Sequence, residues 1–131
     1  MASGMYLDAQ YENHATLDGK KPANVPEWSG SAWTRYAVTE ATALNLGLFY
    51  QGERWADNAN TLKLDGYARF DAGASHKIKS GNVKWDFRMN IENLFDTEYI
   101  AGTGGSSSNG VYTDVHYGNE RRFKFSVNAT F

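Results

Sequence analysis

Cysteine is absent from the 131 residues, which excludes disulfide staples, thiolate metal sites and thiol catalysis together, and leaves an oxidising compartment permitted. Proline occurs twice, at Pro22 and Pro26, so long stretches are open to uninterrupted strands. No apolar run approaches the roughly 18 residues of a spanning helix, so a membrane assignment has to rest on alternating strands. The mean hydropathy of -0.58 does not oppose that, because half of each such strand faces a polar side. Excess charge of one sign is also missing: 13 Lys and Arg stand against 15 Asp and Glu, without a basic cluster, which argues against a nucleic-acid partner. Met1-Ala2-Ser3-Gly4 lacks a basic segment followed by an apolar core, so no secretory leader is legible there.

What is present is period two. Arg121, Phe123, Phe125, Val127, Ala129 and Phe131 alternate with Arg122, Lys124, Ser126, Asn128 and Thr130, which predicts a closing strand of bilayer-crossing length. Val83, Trp85, Phe87, Met89 and Ile91 repeat the arrangement opposite Lys84, Asp86, Arg88, Asn90 and Glu92. Phe70, Ala72, Ala74, His76 and Ile78 form a weaker version, and Leu44, Leu46, Leu48 and Tyr50 a fourth. Trp28 to Val38 reads as a fifth strand, and Gly4 to Glu12 as the first, with Met5, Leu7, Ala9 and Tyr11 on its apolar side. The fold class is therefore all-β, an antiparallel meander of about six strands.

Its connections alternate in length. Residues 13–27, 53–63 and 99–118 are long, whereas Glu40-Ala41 and Ser80-Gly81 are short turns. Such alternation is expected of an outer-membrane meander with short periplasmic turns and long external loops, and puts the Gly/Ser-rich stretch Gly102–Gly110 outside. Trp28, Tyr36, Tyr50, Tyr67, Tyr99 and Phe131 fit interfacial belts near strand ends. A water-soluble β-sandwich is the rival architecture, with the apolar faces packed as a dry core.

Four ordered signals run from Tyr50 to the end of the sequence: Tyr50-Gln51-Gly52-Glu53-Arg54 with Asn60-Thr61, Gly66-Tyr67 leading to Phe70-Asp71, Asn90 to Tyr99, and Gly118-Asn119-Glu120-Arg121-Arg122 before Phe131. Together they resemble the C-terminal barrel region of TonB-dependent outer-membrane receptors, especially those importing ferric siderophores. Asn93-Leu94-Phe95-Asp96 with Tyr99 carries the likeness most strongly. The resemblance implies that residues 1–131 are the C-terminal part of a barrel of about 22 strands. The family's N-terminal plug and energy-coupling segment are not recognisable in the sequence. It also implies import of a chelate whose iron arrives held by the siderophore, a TonB-type coupling partner acting through upstream regions, and contact with outer-membrane lipid. Two alternatives stand beside that reading: a truncated receptor fragment without transport, and a small autonomous membrane β-protein that oligomerises.

Asn93 and Asp96 suit backbone capping where a strand leaves its ladder, Tyr99 suits an interfacial ring, and Gly66 and Gly118 suit permissive turns. With Leu94, Phe95, Arg121 and Phe131 these read as structural rather than ligand-contacting. Ligand contact belongs to external loops, where Arg54, Trp55 and Asn58, and separately Tyr112, His116 and Tyr117, combine aromatic surface with polar groups. His14, His76 and His116 are too scattered for a metal site, and no cofactor is implied. Asp57, Ser108 and His116 can be named as a triad only by ignoring geometry, so an enzyme is not expected. Arg88 and Arg122 are placed to balance Asp71, Asp86 or Glu92 across strands.

Overall fold

Alternation of apolar and polar residues over 9 to 14 positions produces strands long enough to hold a wall together, and the turns between them set its order. The computed structural model describes residues 1–104 and 114–131. In chain order its strands are β1 Ala2–Tyr6, β2 Trp28–Ala37, β3 Thr42–Gln51, β4 Arg54–Trp55, β5 Lys63–Leu64, β6 Tyr67–Ser80, β7 Val83–Glu92, β8 Ile100–Gly104, β9 Asp114–Tyr117 and β10 Arg122–Thr130. Six of them form one antiparallel sheet in the order β1-β2-β3-β6-β7-β10, each paired with its neighbour in the meander. The other four make two short ribbons, β4-β5 and β8-β9, inside connections that the sequence pattern reads as loops.

Both short turns lie at one end of the sheet. Ser80 pairs with Val83 across Gly81-Asn82, and Gly81 has φ +60, the backbone that a type II′ turn assigns to Gly at its first central position. The other turn is organised by Thr39, whose hydroxyl accepts from the amides of Ala41 (3.2 Å) and Thr42 (3.0 Å). All three long connections emerge at the opposite end.

Register sorts the side chains onto two faces. Leu44, Leu46 and Leu48 stand opposite Ala74, Ala72 and Phe70, which line up in turn with Met89, Ile91 and the β10 residues Phe125 and Phe123. No second layer covers this apolar face among the described residues: Phe123 and Phe125 are 68% and 71% exposed. That removes the sandwich reading, whose apolar faces would be buried against each other. The buried residues gather instead around the loop end, where Arg54, Ala56, Asp57, Leu64, Asp71 and Asn93 lie, with Ala43 apart from them.

Four expectations need correction. The first strand ends at Tyr6, and its pairing of Gly4 with Gly30 and Tyr6 with Trp28 puts Met5 on the polar face, opposite Ser29. The Tyr6–Trp28 ring contact (4.6 Å) and the close approach of Ser3 and Gly4 to Gly30 fix this register, and a one-residue shift exchanges the faces. Tyr67 leaves the proposed belt, because it faces inward with its hydroxyl donating to Gln51 Oε1 (2.9 Å) and its ring stacked on Tyr99 at 4.2 Å. Gly66 and Gly118 are required by space rather than by turn conformation: a Cβ at Gly66 would lie 2.9 Å from the Gln51 carbonyl oxygen, and one at Gly118 would lie 2.0 Å from the Tyr99 ring. Finally, Arg88 bonds Asp86 of its own strand (2.6 Å), and the cross-strand ion pair to Glu92 is made by Lys124 (2.5 Å) rather than by Arg122.

Candidate functional site

Loop chemistry, rather than sheet chemistry, builds the packed end of the molecule. Connection 7–27, connection 52–66 and strand β8 meet there through asparagine side chains. Asn60 accepts from the Lys21 amide (2.8 Å) and donates to the Lys21 carbonyl (2.7 Å), while Asn58 accepts from the Ala23 amide (2.9 Å). The Asn24 amide donates to the Trp55 carbonyl (2.7 Å), and its side chain exchanges bonds with the backbone of Thr103, donating at 3.0 Å and accepting at 2.9 Å. Thr103 completes the junction by donating its hydroxyl to the Ala56 carbonyl (2.7 Å).

The turn that presents Asn58 and Asn60 is held by Asp57. Its carboxylate accepts from the Thr61 hydroxyl and from the amides of Thr61 (2.8 Å) and Leu62 (3.2 Å). Burial alone would raise the Asp57 pKa, but these hydrogen bonds together outweigh it and hold the carboxyl below its ordinary value. Arg54 is 2% exposed, and one of its nitrogens donates to the Ile100 carbonyl at 2.5 Å. Desolvation pushes its guanidinium pKa down, and among the described residues no partner reaches its Nε and Nη1.

Beneath the loops the inner face carries a strip of rings and guanidinium groups. Trp33 meets Phe49 edge-on at 5.6 Å, and Arg69 lies over Phe49 at 4.5 Å. Arg69 also bonds Asp71 (3.0 Å) and donates to the Tyr99 hydroxyl (3.4 Å), next to the Tyr67–Tyr99 stack. Arg54 lies over the Tyr67 ring, 5.9 Å from its centre.

Asn93 ties the end of β7 to the approach of β10. It is 1% exposed with φ +55, accepts from the Thr97 amide (2.9 Å), and donates to the carbonyls of Thr97 (2.9 Å) and Asn119 (3.0 Å). Asp96 takes the Arg121 amide (2.7 Å), so Arg121 belongs to this clasp and β10 starts one residue later. Leu94 donates its amide to the Phe70 carbonyl (2.7 Å), and Phe95 meets Phe70 edge-on at 5.3 Å. Tyr99 points into the clasp against Gly118, not outward to a belt. Phe131 follows β10 and is exposed.

Of the loop residues singled out by sequence, Arg54 and Asn58 face into the junction, so their polar groups hold loops rather than project from them. Trp55 is half-buried beside Lys21, Glu27 and Lys63. His116 and Tyr117 are exposed on β9, and Tyr117 pairs with Ile100, whose carbonyl Arg54 bonds. The structure thus brings the two candidate groups together through Ile100. Tyr112 and Ser108 lie outside the described residues. Among the described residues no group of three or more acidic or histidine side chains is placed to hold a metal. Sequence reasoning missed Asn24, Asn60, Thr103 and Arg69. Turn composition at Asp57-Asn58-Ala59-Asn60 was the one available signal, since the remaining contacts join distant segments.

A single-layer meander with one apolar and one polar face, short turns at one end and packed loops at the other, defines a wall segment of an outer-membrane β-barrel. The chain belongs to the TonB dependent receptor-like, beta-barrel family, whose profile matches residues 2–94. It is similar to the ferrichrome outer membrane transporter/phage receptor of Escherichia coli (strain K12), with 31% identity over 77% of this chain and 14% of that protein. It is also similar to the vitamin B12 transporter BtuB of Photobacterium profundum, with 35% identity over 76% of this chain and 16% of that protein. The unliganded ferric citrate transporter FecA has the same fold over 98% of this chain and 20% of its own, with a TM-score of 0.81 and 19% identity. The chain therefore spans only a small share, 14% and 16%, of the curated relatives it matches. Membership makes it part of an outer-membrane receptor-type β-barrel.

Proposed function

We propose that this chain is the C-terminal wall and outer-loop segment of a receptor that imports ferric siderophores. The observation that carries this reading is that Arg54, next to Trp55, bonds the carbonyl of Ile100, which pairs with Tyr117 of β9, so that two aromatic-bearing loop segments share one junction above a polar inner wall. Such a surface suits an amphipathic chelate, which needs ring contacts and a few polar partners. The C-terminal placement rests on the Asn93–Tyr99 clasp leading into the strongly alternating β10. Plug movement and TonB-type coupling belong, in this reading, to other regions of a complete receptor, with outer-membrane lipid against the apolar face.

A second reading, a cobalamin receptor, is favoured by the identity to the vitamin B12 transporter. Uptake by receptor-deficient cells carrying a complete receptor with this segment separates the two. Radio-iron ferrichrome and labelled cyanocobalamin are supplied in parallel. The siderophore reading expects energy-dependent iron accumulation, and cobalamin accumulation alone would replace it with the second. Trp55→Ala and Tyr112→Ala should lower chelate capture at matched surface abundance. Unchanged capture would remove both residues from the contact set.

A further inference from the structure

Connections 7–27 and 52–66 and strand β8 are roughly 30 to 80 residues apart in sequence at the points where they touch; connection 7–27 bonds the other two through one short segment, residues 20–24, while connection 52–66 also bonds β8 directly at Arg54–Ile100 and Ala56–Thr103. Lys20 donates its ammonium group to the Ala59 carbonyl (2.8 Å), Lys21 is gripped at both backbone groups by Asn60, and the Ala23 amide is taken by Asn58. Asn24 follows directly. Its backbone has φ +62 and is tied to Trp55, while its side chain holds Thr103 in β8. Asn24, which holds β8 together with Arg54 and Ala56, is thus itself held by the seam between the other two connections.

We infer that connections 7–27 and 52–66 and strand β8 form one cooperative cap with Asn24 as its keystone, a small folding unit distinct from the sheet, in which no member opens alone. Burial supports this: Arg54, Ala56, Asp57 and Leu64 form a packed group in the cap, whereas the sheet below is a single layer. Asp57 anchors the turn bearing Asn58 and Asn60, and Thr103 bonds both Asn24 and Ala56, so the bonds close a circuit through all three segments. Loss of any one seam leaves part-buried amides unpaired and frees the Asn24 backbone, which then no longer presents its side chain to Thr103. Asn24 acts here as a positioning residue for β8-β9. The cap's cooperation is independent of what ligand, if any, it meets.

Amide hydrogen exchange of a complete receptor carrying this segment, in detergent micelles, tests it, because cooperation predicts an effect where no contact has been cut. Asn60→Ala removes only bonds to Lys21 and Asp57, on the far side of the junction from β8. The cooperative cap expects the Thr103 amide to exchange roughly tenfold faster or more, in step with Lys21. Independent loops expect faster exchange at Lys21 alone, and that result would overturn the inference. Amides of β3 and β6 serve as the internal control for general unfolding. Should Asn60→Ala accelerate those too, Asn58→Ala decides, since position 58 lacks the left-handed backbone that strains Ala at position 60. Faster exchange at Ala23 with Thr103 unchanged would again overturn the cooperative cap.

Discussion

At the scale of single residues, the side chains that matter most are small polar ones that bond the backbone of distant segments. Asn93 makes three side-chain bonds from an almost fully buried position with a left-handed backbone. Asn93→Ala strands the Thr97 amide and two carbonyls and adds backbone strain, so it should cost about 3 kcal/mol, read as a lower urea midpoint of the folded protein. Asp57 gives a prediction with a definite sign. Because its folded pKa lies below the unfolded value of about 3.9, its stabilisation is complete above that pH and is lost as pH falls through the folded value. Proteolysis of residues 52–66 should therefore speed up in acid, and Asp57→Asn should remove that pH dependence while raising cleavage at neutral pH. An unaltered acid response in Asp57→Asn would assign it to another group.

At the scale of elements, β10 tests the assignment of faces. Phe125 lies on the apolar face near mid-strand and Lys124 on the polar one. In a membrane barrel Phe125→Lys should cost about 2 to 4 kcal/mol of folding into lipid, whereas Lys124→Gln, which loses a half-exposed pair with Glu92, should change it by less than about 1 kcal/mol. Folding yields in lipid vesicles across a urea series would show the difference, and equal effects would reverse the faces. β10, β7, β6, β3 and β2 were legible in the sequence because period two persists along most of each. β1 was not. Its five residues offer too few alternations to outvote the apolar Met5, Leu7, Ala9 and Tyr11, and its register depends on Gly30 and Trp28 in another strand. Sequence pattern singles out Arg54, Trp55, Asn58 and the β9 residues as candidates, but not what holds them in place. Their scaffold rests on pairs such as Asn24–Thr103, separated by 79 positions, for which local pattern carries no signal.

At the scale of the whole molecule, the decisive feature is that the sheet is open. Among the described residues β1 and β10 each have one neighbour, so one edge of each carries backbone donors and acceptors without partners in the sheet. In hydrocarbon each such group costs several kcal/mol, and membrane barrels avoid this by closing, with about eight strands as the smallest usual number. Six strands of 5 to 14 residues supply one wall only. In water the difficulty moves to the apolar face, where Phe123, Phe125, Leu44, Leu46 and Met89 stand uncovered. Both environments therefore drive the isolated 131-residue chain to associate, through strand edges in lipid and through the apolar face in water. Mass measurement in detergent should give oligomers or aggregates rather than a monomer, and receptor-deficient cells expressing this chain alone should not accumulate radio-iron ferrichrome. Adding the complementary barrel segment should suppress self-association, because edge pairing with the correct partner satisfies the same backbone groups. A monodisperse, β-rich monomer that restores energy-dependent uptake without such a partner would show that the sheet closes by rearrangement, and would sink the prediction.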